Sequence, residues 1–115
     1  MKSESKIQKS ESRIQQEIFQ WYWNNYCLPH NTPRCMIAHV PNQNQHNLIK
    51  IGVYPGFADL FVWHFGKLYL VEVKEPEKGK QSPNQIKFEK HCEQSGIPYL
   101  VVYSLEEFQK FILNL

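Results

Sequence analysis

The sequence predicts an α/β domain: a central mixed sheet with helices on both faces. Three observations carry that expectation. Residues 55–74, PGFADLFVWHFGKLYLVEVK, read as two apolar strands joined by a tight turn at Phe65-Gly66-Lys67. Strands apolar on both faces are usually buried in a sheet that helices cover. Ser82-Pro83 is a clean helix start, and residues 97–103 then read as another buried strand. A helix between two strands allows them to pair in parallel through a right-handed crossover. Apolar stripes at helical spacing mark a helix near each end of the chain.

Taken in order, residues 1–8 are polar and expected to fray. The Ser10-Glu11-Ser12 region caps the first helix, with Ser12 and Gln15 fitting a capping box. Ile14, Ile18, Trp21 and Tyr22 form its apolar stripe, and it ends before Pro29. Residues 35–40 read as a strand between Pro33 and Pro41. An amide-rich loop follows at 42–47, then a short helical turn at 48–51 that Gly52 ends. Pro55-Gly56 bends the chain into the hairpin. Beyond it lies a charged loop at 75–81, then a helix whose Ile86, Phe88 and Cys92 are expected inward. Ser104 with Glu107 caps the last helix, whose apolar face is Leu105, Phe108, Phe111 and Ile112.

At 115 residues the chain fits one domain, spanning residues 9–115 after the frayed start. Hydrophobic residues at 42% and aromatics at 14% suffice for a packed core rather than disorder. No apolar run approaches the roughly 18–20 residues of a membrane span, and no secretory leader pattern opens the chain. Cys27, Cys35 and Cys92 are odd in number and form no C-x-x-C pair, which fits reduced thiols in the cytoplasm. Cys27, His30, Cys35 and His39 match no common zinc spacing. Net charge is +2, so composition alone does not mark a nucleic-acid binder. Lys78, Lys80 and Lys87 do cluster after the second hairpin strand, with Glu75, Glu77 and Glu89 interleaved. They are candidates for phosphate contact or for a solvated face.

Three hairpin residues do not fit a plain core. Glu72 and Lys74 lie two apart on one strand, so both point to one face. The turn returns Asp59 toward their level. Two carboxylates and an ammonium then converge at one end of the sheet, and carboxylates held close repel unless a cation sits between them.

This region resembles the PD-(D/E)XK nuclease motif, with Asp59 and Glu72 as the acids, Lys74 as the lysine and Ala58 where the proline would stand. The finer match is to the virus-type replication-repair nuclease domain, VRR-NUC. Glu11-x-x-Ile14-Gln15, Val40-Pro41-Asn42, Pro55-Gly56-x-x-Asp59-Leu60, Val71-Glu72-Val73-Lys74 and Ser82-Pro83-x-Gln85 occur in that family's order. The resemblance implies an αβββαβ core and a metal-dependent endonuclease acting on DNA. Asp59, Glu72 and the Val73 carbonyl would hold Mg²⁺, with Mn²⁺ able to substitute. Lys74 would orient or deprotonate the attacking water, or neutralise the phosphate. Gln85 would position that water or Lys74. Glu11 would be an outer, water-mediated ligand; Glu17 competes for that place, though Glu11 has the better spacing. Asn42, in a loop that lies near DNA in the family, joins the lysines as a DNA contact.

The expected substrate is branched DNA, above all four-way (Holliday) junctions, cut by a homodimer in the course of DNA repair. Trp21, Tyr22, Trp23 and Tyr26 of the first helix are the candidate dimer surface. A flap or nonspecific nuclease, a sequence-reading restriction enzyme and a non-catalytic DNA-binding relative are the alternatives. The chain is short for the recognition elements of the restriction enzyme, and the intact Asp59, Glu72 and Lys74 speak against loss of catalysis.

Overall fold

A computed structural model describes residues 9–28, 34–40 and 54–115. The expected frayed start at 1–8, His30, Asn42 with its loop, and the helical turn at 48–51 lie outside the described residues.

Helix α1 spans Glu11–Tyr22, and a π-helical turn, Trp23–Cys27, continues it. Its N-cap is Ser10, whose hydroxyl accepts from the Arg13 N–H at 3.2 Å. This corrects the expected cap at Ser12, which lies inside the helix and is exposed. Both serines are preferred cap types. The helix starts one turn before Ile14 and Ile18, which are buried with Tyr22.

Strand β1 is Cys35–His39, β2 is Leu60–His64 and β3 is Lys67–Val73. Phe65 and Gly66 form a two-residue turn with φ of 48° and 85°. Positive φ at both positions matches the right-handed twist of the flanking strands, and Gly66 accepts it without strain. Helix α2 is Pro83–Ser95, β4 is Tyr99–Val102 and α3 is Leu105–Leu113.

The sheet runs in the order β1-β2-β3-β4. β1 and β3 flank β2 antiparallel, and β4 joins β3 in parallel, as the α2 crossover requires. One face carries the larger core: Ile14, Ile18 and Tyr22 of α1 with Phe108 and Ile112 of α3, on Leu60, Val62, Val71 and Val73. The other face carries α2 through Phe88 and Cys92, on Ala58 and Leu70. Helices therefore cover both faces, in the expected αβββαβ order.

Ile86 departs from expectation: it is 49% exposed. The buried positions of α2 are Gln85, Phe88 and Cys92, spaced three and four apart as one helical face requires. Ile86 stands about 100° round from Gln85, so it cannot share that face. A glutamine takes the inward place because it has a polar partner there.

Candidate active site

The register of the hairpin builds the site. Leu60 pairs with Val71, so Asp59, one residue before β2, falls opposite the end of β3. Its Oδ2 accepts from the Val73 N–H at 2.8 Å, which fixes the carboxylate beside the ladder. Glu72 is wholly buried and points to the α2 face, with Leu70 and Lys74 on the same side. The Lys74 ammonium, also buried, lies 3.4 Å from Glu72 Oε2 and 3.9 Å from Glu11 Oε2.

Glu11 reaches the site because it is the first residue of α1, whose N-terminus lies at this end of the sheet. Glu17 is engaged elsewhere, 2.9 Å from Lys9 and 3.5 Å from Arg13. Of the two helix acids considered, Glu11 is the one beside Lys74.

Gln85 enters through a capping box. The Ser82 hydroxyl accepts from the Gln85 N–H at 3.2 Å, and Gln85 Oε1 accepts from the Ser82 N–H at 2.8 Å. With Oε1 occupied, the amide orientation is settled, and the Nε2–H group donates to Glu72 Oε2. The cap of α2 thus doubles as a clamp on the buried acid. Gly56 seats this turn: a side chain there would meet the Asn84 carbonyl and, at 2.8 Å, the Gln85 nitrogen. Its φ of 79° independently favours glycine.

Two partners were not apparent in the sequence. Tyr99 on β4 donates its O–H to Glu72 Oε1 at 3.0 Å. On the opposite rim, the Gln15 amide meets His39 Nδ1 at 2.8 Å, and the same nitrogen is 3.2 Å from the Asp59 carbonyl. Gln15 stood in the sequence motif without a role. Tyr99 gave no signal beyond being an aromatic in a strand.

The electrostatics reflect crowding of like charges. Burial, and then Asp59, push the Glu72 carboxyl up to about 7, against the opposing pull of Lys74 and the Tyr99 hydrogen bond. Burial pushes Asp59 above the usual carboxylate range, and nearby Glu11 adds to it; the Val73 N–H, Lys74 and His39 hold it back. Burial and Glu72 together keep Tyr99 protonated, hence a donor.

This donor set suits a hard divalent cation, which takes carboxylate and carbonyl oxygens. Asp59 Oδ1 has no hydrogen bond among the described residues. The carboxylates of Asp59 and Glu72 are the oxygens placed here; the Val73 carbonyl is the expected third donor. Among the described residues no cluster of three His, Cys, Asp or Glu side chains is placed for a metal. The Cys27 thiol donates to the Cys35 carbonyl at 3.4 Å.

Lys78, Lys80 and Lys87 are exposed. Gly79, between the first two, packs its backbone against the end of the site strand: a side chain there would meet Lys74 Cβ at 2.9 Å and the Glu75 nitrogen at 2.6 Å. Of the first-helix aromatics, Tyr22 is core, Trp21 and Tyr26 are partly buried, and Trp23 is 42% exposed. No helix among the described residues is long and apolar enough to cross a membrane.

No protein-family model matches the chain, and no curated protein matches it. Solved structures do. One described as a VRR_NUC domain aligns with a TM-score of 0.64 at 20% identity, over 90% of this chain and 96% of the other. A second, a VRR_NUC domain protein, aligns with a TM-score of 0.72 at 16% identity, over 92% of this chain and 87% of the other. The protein therefore has the fold of a VRR-NUC domain, the fold that the hairpin motif implied.

Proposed function

We propose that the protein is a Mg²⁺-dependent, structure-specific DNA endonuclease that hydrolyses phosphodiester bonds in branched DNA, above all four-way junctions, as a homodimer. The observation that carries the nuclease reading is the meeting of Asp59, Glu72 and Lys74 at one end of a VRR-NUC-like sheet.

Asp59 and Glu72, with the Val73 carbonyl, would hold the cation. Mg²⁺ bound there supplies charge neutralisation at the phosphate and activation of the attacking water. Lys74 keeps its N–H groups at the edge of the pair, 3.4 Å from Glu72 Oε2, where they can orient that water or meet a phosphate oxygen. Glu11, 3.9 Å from the same ammonium, is placed to act through water. Gln85, which donates to Glu72 Oε2, would hold that carboxylate for the cation. Lys78, Lys80 and Lys87 provide phosphate contacts, which position a protein without reading bases. Asn42 belongs to the same proposed contact set.

The preference for branched DNA rests on what the fold offers for recognition. The described elements are all used in one sheet and its cover, leaving no separate element to place side chains in a major groove. Shape then supplies specificity. A four-way junction has approximate two-fold symmetry, and a two-fold dimer presents two such sites. The partly exposed aromatics of α1 and the π-turn, Trp21, Trp23 and Tyr26, are the proposed dimer surface.

A cleavage panel of single-stranded, duplex, flap and four-way DNA with Mg²⁺ tests the reading, with light scattering alongside. We expect faster cutting of the junction than of a linear duplex of the same sequence, and about twice the 13.7 kDa chain mass. A monomer that cuts linear duplex equally well would favour a flap or nonspecific nuclease instead.

A further inference from the structure

Glu72 is wholly buried, yet both its oxygens are addressed by neutral donors from outside its own strand. Gln85 Nε2–H donates to Oε2 from the first turn of α2. Tyr99 Oη–H donates to Oε1 from β4 at 3.0 Å. The register explains the reach. Tyr99 pairs with Leu70, two residues before Glu72 and on the same face, so its ring runs diagonally along the sheet to the acid. Phe88 of α2 packs edge-on against that ring, with centroids 5.8 Å apart. The Gln81 side chain lies beside the hydroxyl and donates in turn to Glu89 Oε1 at 3.0 Å. A chain of polar contacts thus runs from the outer face of α2 to the buried acid.

We propose that Tyr99 is a positioning residue for the proposed metal site, its O–H fixing Oε1 of Glu72 while Gln85 fixes Oε2, so that the carboxylate is oriented before a cation arrives. The inference rests on the metal-nuclease reading above. A carboxylate swinging about its last torsion would have to be ordered by the cation itself. One held at both oxygens is ready, with a lone pair of Oε1 left for the cation, since Oε2 also faces the Lys74 ammonium at 3.4 Å. Hydroxyl donors to ionised oxygens are among the stronger hydrogen bonds. Partners that orient a metal-binding carboxylate typically change metal affinity by about 10–100-fold when removed.

The test is Tyr99→Phe in the full chain, which removes the hydroxyl and keeps the ring against Phe88. Mn²⁺ binding without DNA, read from the electron paramagnetic resonance signal of the free ion, is compared for wild type, Tyr99→Phe and Glu72→Gln. We expect Tyr99→Phe to bind Mn²⁺ about 10-fold more weakly than wild type. Its circular dichroism and its DNA affinity in Ca²⁺ should match wild type. Its cleavage defect should close as Mg²⁺ is raised by a similar factor, a recovery that a merely structural role would not give. Mn²⁺ affinity equal to wild type overturns the role of Tyr99 and leaves the metal site standing. Should Tyr99→Phe lose its fold, Tyr99→Met, which also lacks the hydroxyl and fills the space with a flexible side chain, takes its place; wild-type Mn²⁺ affinity there overturns the inference equally. Wild type that binds no more Mn²⁺ than Glu72→Gln overturns the metal reading, and this inference with it.

Discussion

The β2–β3 hairpin carries a buried ionisable group at each end, and the two are built on opposite plans. At the turn end, His64 is 9% exposed, and its Nδ1 lies 2.8 Å from the Tyr22 hydroxyl. That hydroxyl also donates to the Trp63 carbonyl at 3.2 Å. The rings of Tyr22, Tyr26 and Phe65 surround the imidazole with centroids 4.7 to 5.7 Å away. Burial alone lowers the His64 pKa, so the ring stays neutral and paired. At the open end, Glu72 shares a small volume with Asp59, Lys74 and Glu11, and its carboxyl is pushed up to about 7. The turn end satisfies its polar group with neutral partners. The open end crowds like charges that neutral partners alone cannot relieve. Perturbed carboxyls of this kind suit the cation of the proposed function, which would meet their charge directly.

The sharpest way to break this comparison is to remove one charge at a time. Asp59→Asn, Glu72→Gln and Lys74→Ala should each bring DNA cleavage to background while leaving the circular dichroism spectrum intact. Removing one member of a repelling pair need not destabilise the apo fold. Chelation of divalent cations should have the same effect, and Ca²⁺ should support DNA binding without efficient cutting because its coordination is larger and looser. Near-native turnover in any one variant, with protein free of host nucleases, removes that residue from the assignment. Full activity in excess EDTA removes the mechanism.

Next in size is the pH dependence of stability, where the two ends have opposite signs. The Glu72 carboxyl is raised from 4.5 to about 7, so the folded apo protein binds that proton more tightly than the unfolded chain. The resulting stability is fully present below 4.5 and is lost as pH rises through about 7. The shift corresponds to a term on the order of 3 kcal/mol. His64 is lowered from 6.5, so its contribution is present above 6.5 and is lost as pH falls toward the folded value. Denaturant melts of apo wild type and Glu72→Gln should therefore converge at pH 4 and separate by pH 8, with Glu72→Gln the more stable. Mg²⁺ should narrow the gap by stabilising wild type alone. Curves that stay parallel across that range would mean Glu72 is not crowded as described.

The turn end is tested by Tyr22→Phe. That change leaves the buried His64 Nδ1 and the Trp63 carbonyl without the hydroxyl, which costs about 1–3 kcal/mol. For a domain of this size the midpoint should fall by roughly 4–8 °C per kcal/mol. Cleavage per folded molecule should be unchanged, because the contact lies at the far end of β2 from Asp59. A loss of activity without a loss of stability would mean the two ends are coupled.

The open end was the more legible of the two in the sequence. Period-two spacing puts Glu72 and Lys74 on one face, and Gly66 locates the turn that brings Asp59 back. Ser82-Pro83-x-Gln85 announces a helix start, and the same capping box delivers Gln85 to Glu72. What the sequence hid depends on long-range contacts. Tyr99 reaches Glu72 through a parallel pairing whose register no local pattern states. His39 meets Gln15 across 24 positions of chain. His64 and Tyr22 are separated by 42. The Ser12 and Ile86 errors are local: each turned on which of two neighbouring residues took a position, and tertiary contacts decided.

The smallest expected effect concerns which end of the hairpin DNA approaches. Lys78 and Lys80 are exposed on the loop that Gly79 folds against Lys74, and Lys87 is exposed on α2. Lys67 is exposed at the opposite end, its ammonium 5.7 Å from the centre of the Tyr69 ring. A lysine that neutralises a phosphate releases a counterion, and each such contact adds about 0.9 to the slope of log affinity against log salt on duplex DNA. Lys78→Ala, Lys80→Ala and Lys87→Ala should each weaken junction binding a few-fold and lower that slope by about one. Cutting at saturating DNA should change little, since among the described residues no ion pair joins any of the three to Asp59 or Glu72. Lys67→Ala removes the same charge and should leave the slope unchanged. Fluorescence anisotropy in Ca²⁺ from low to moderate salt separates the four variants. If Lys67→Ala lowers the slope as much as the others, the charge acts through the whole molecule's field, and the open end loses its claim to be where DNA docks.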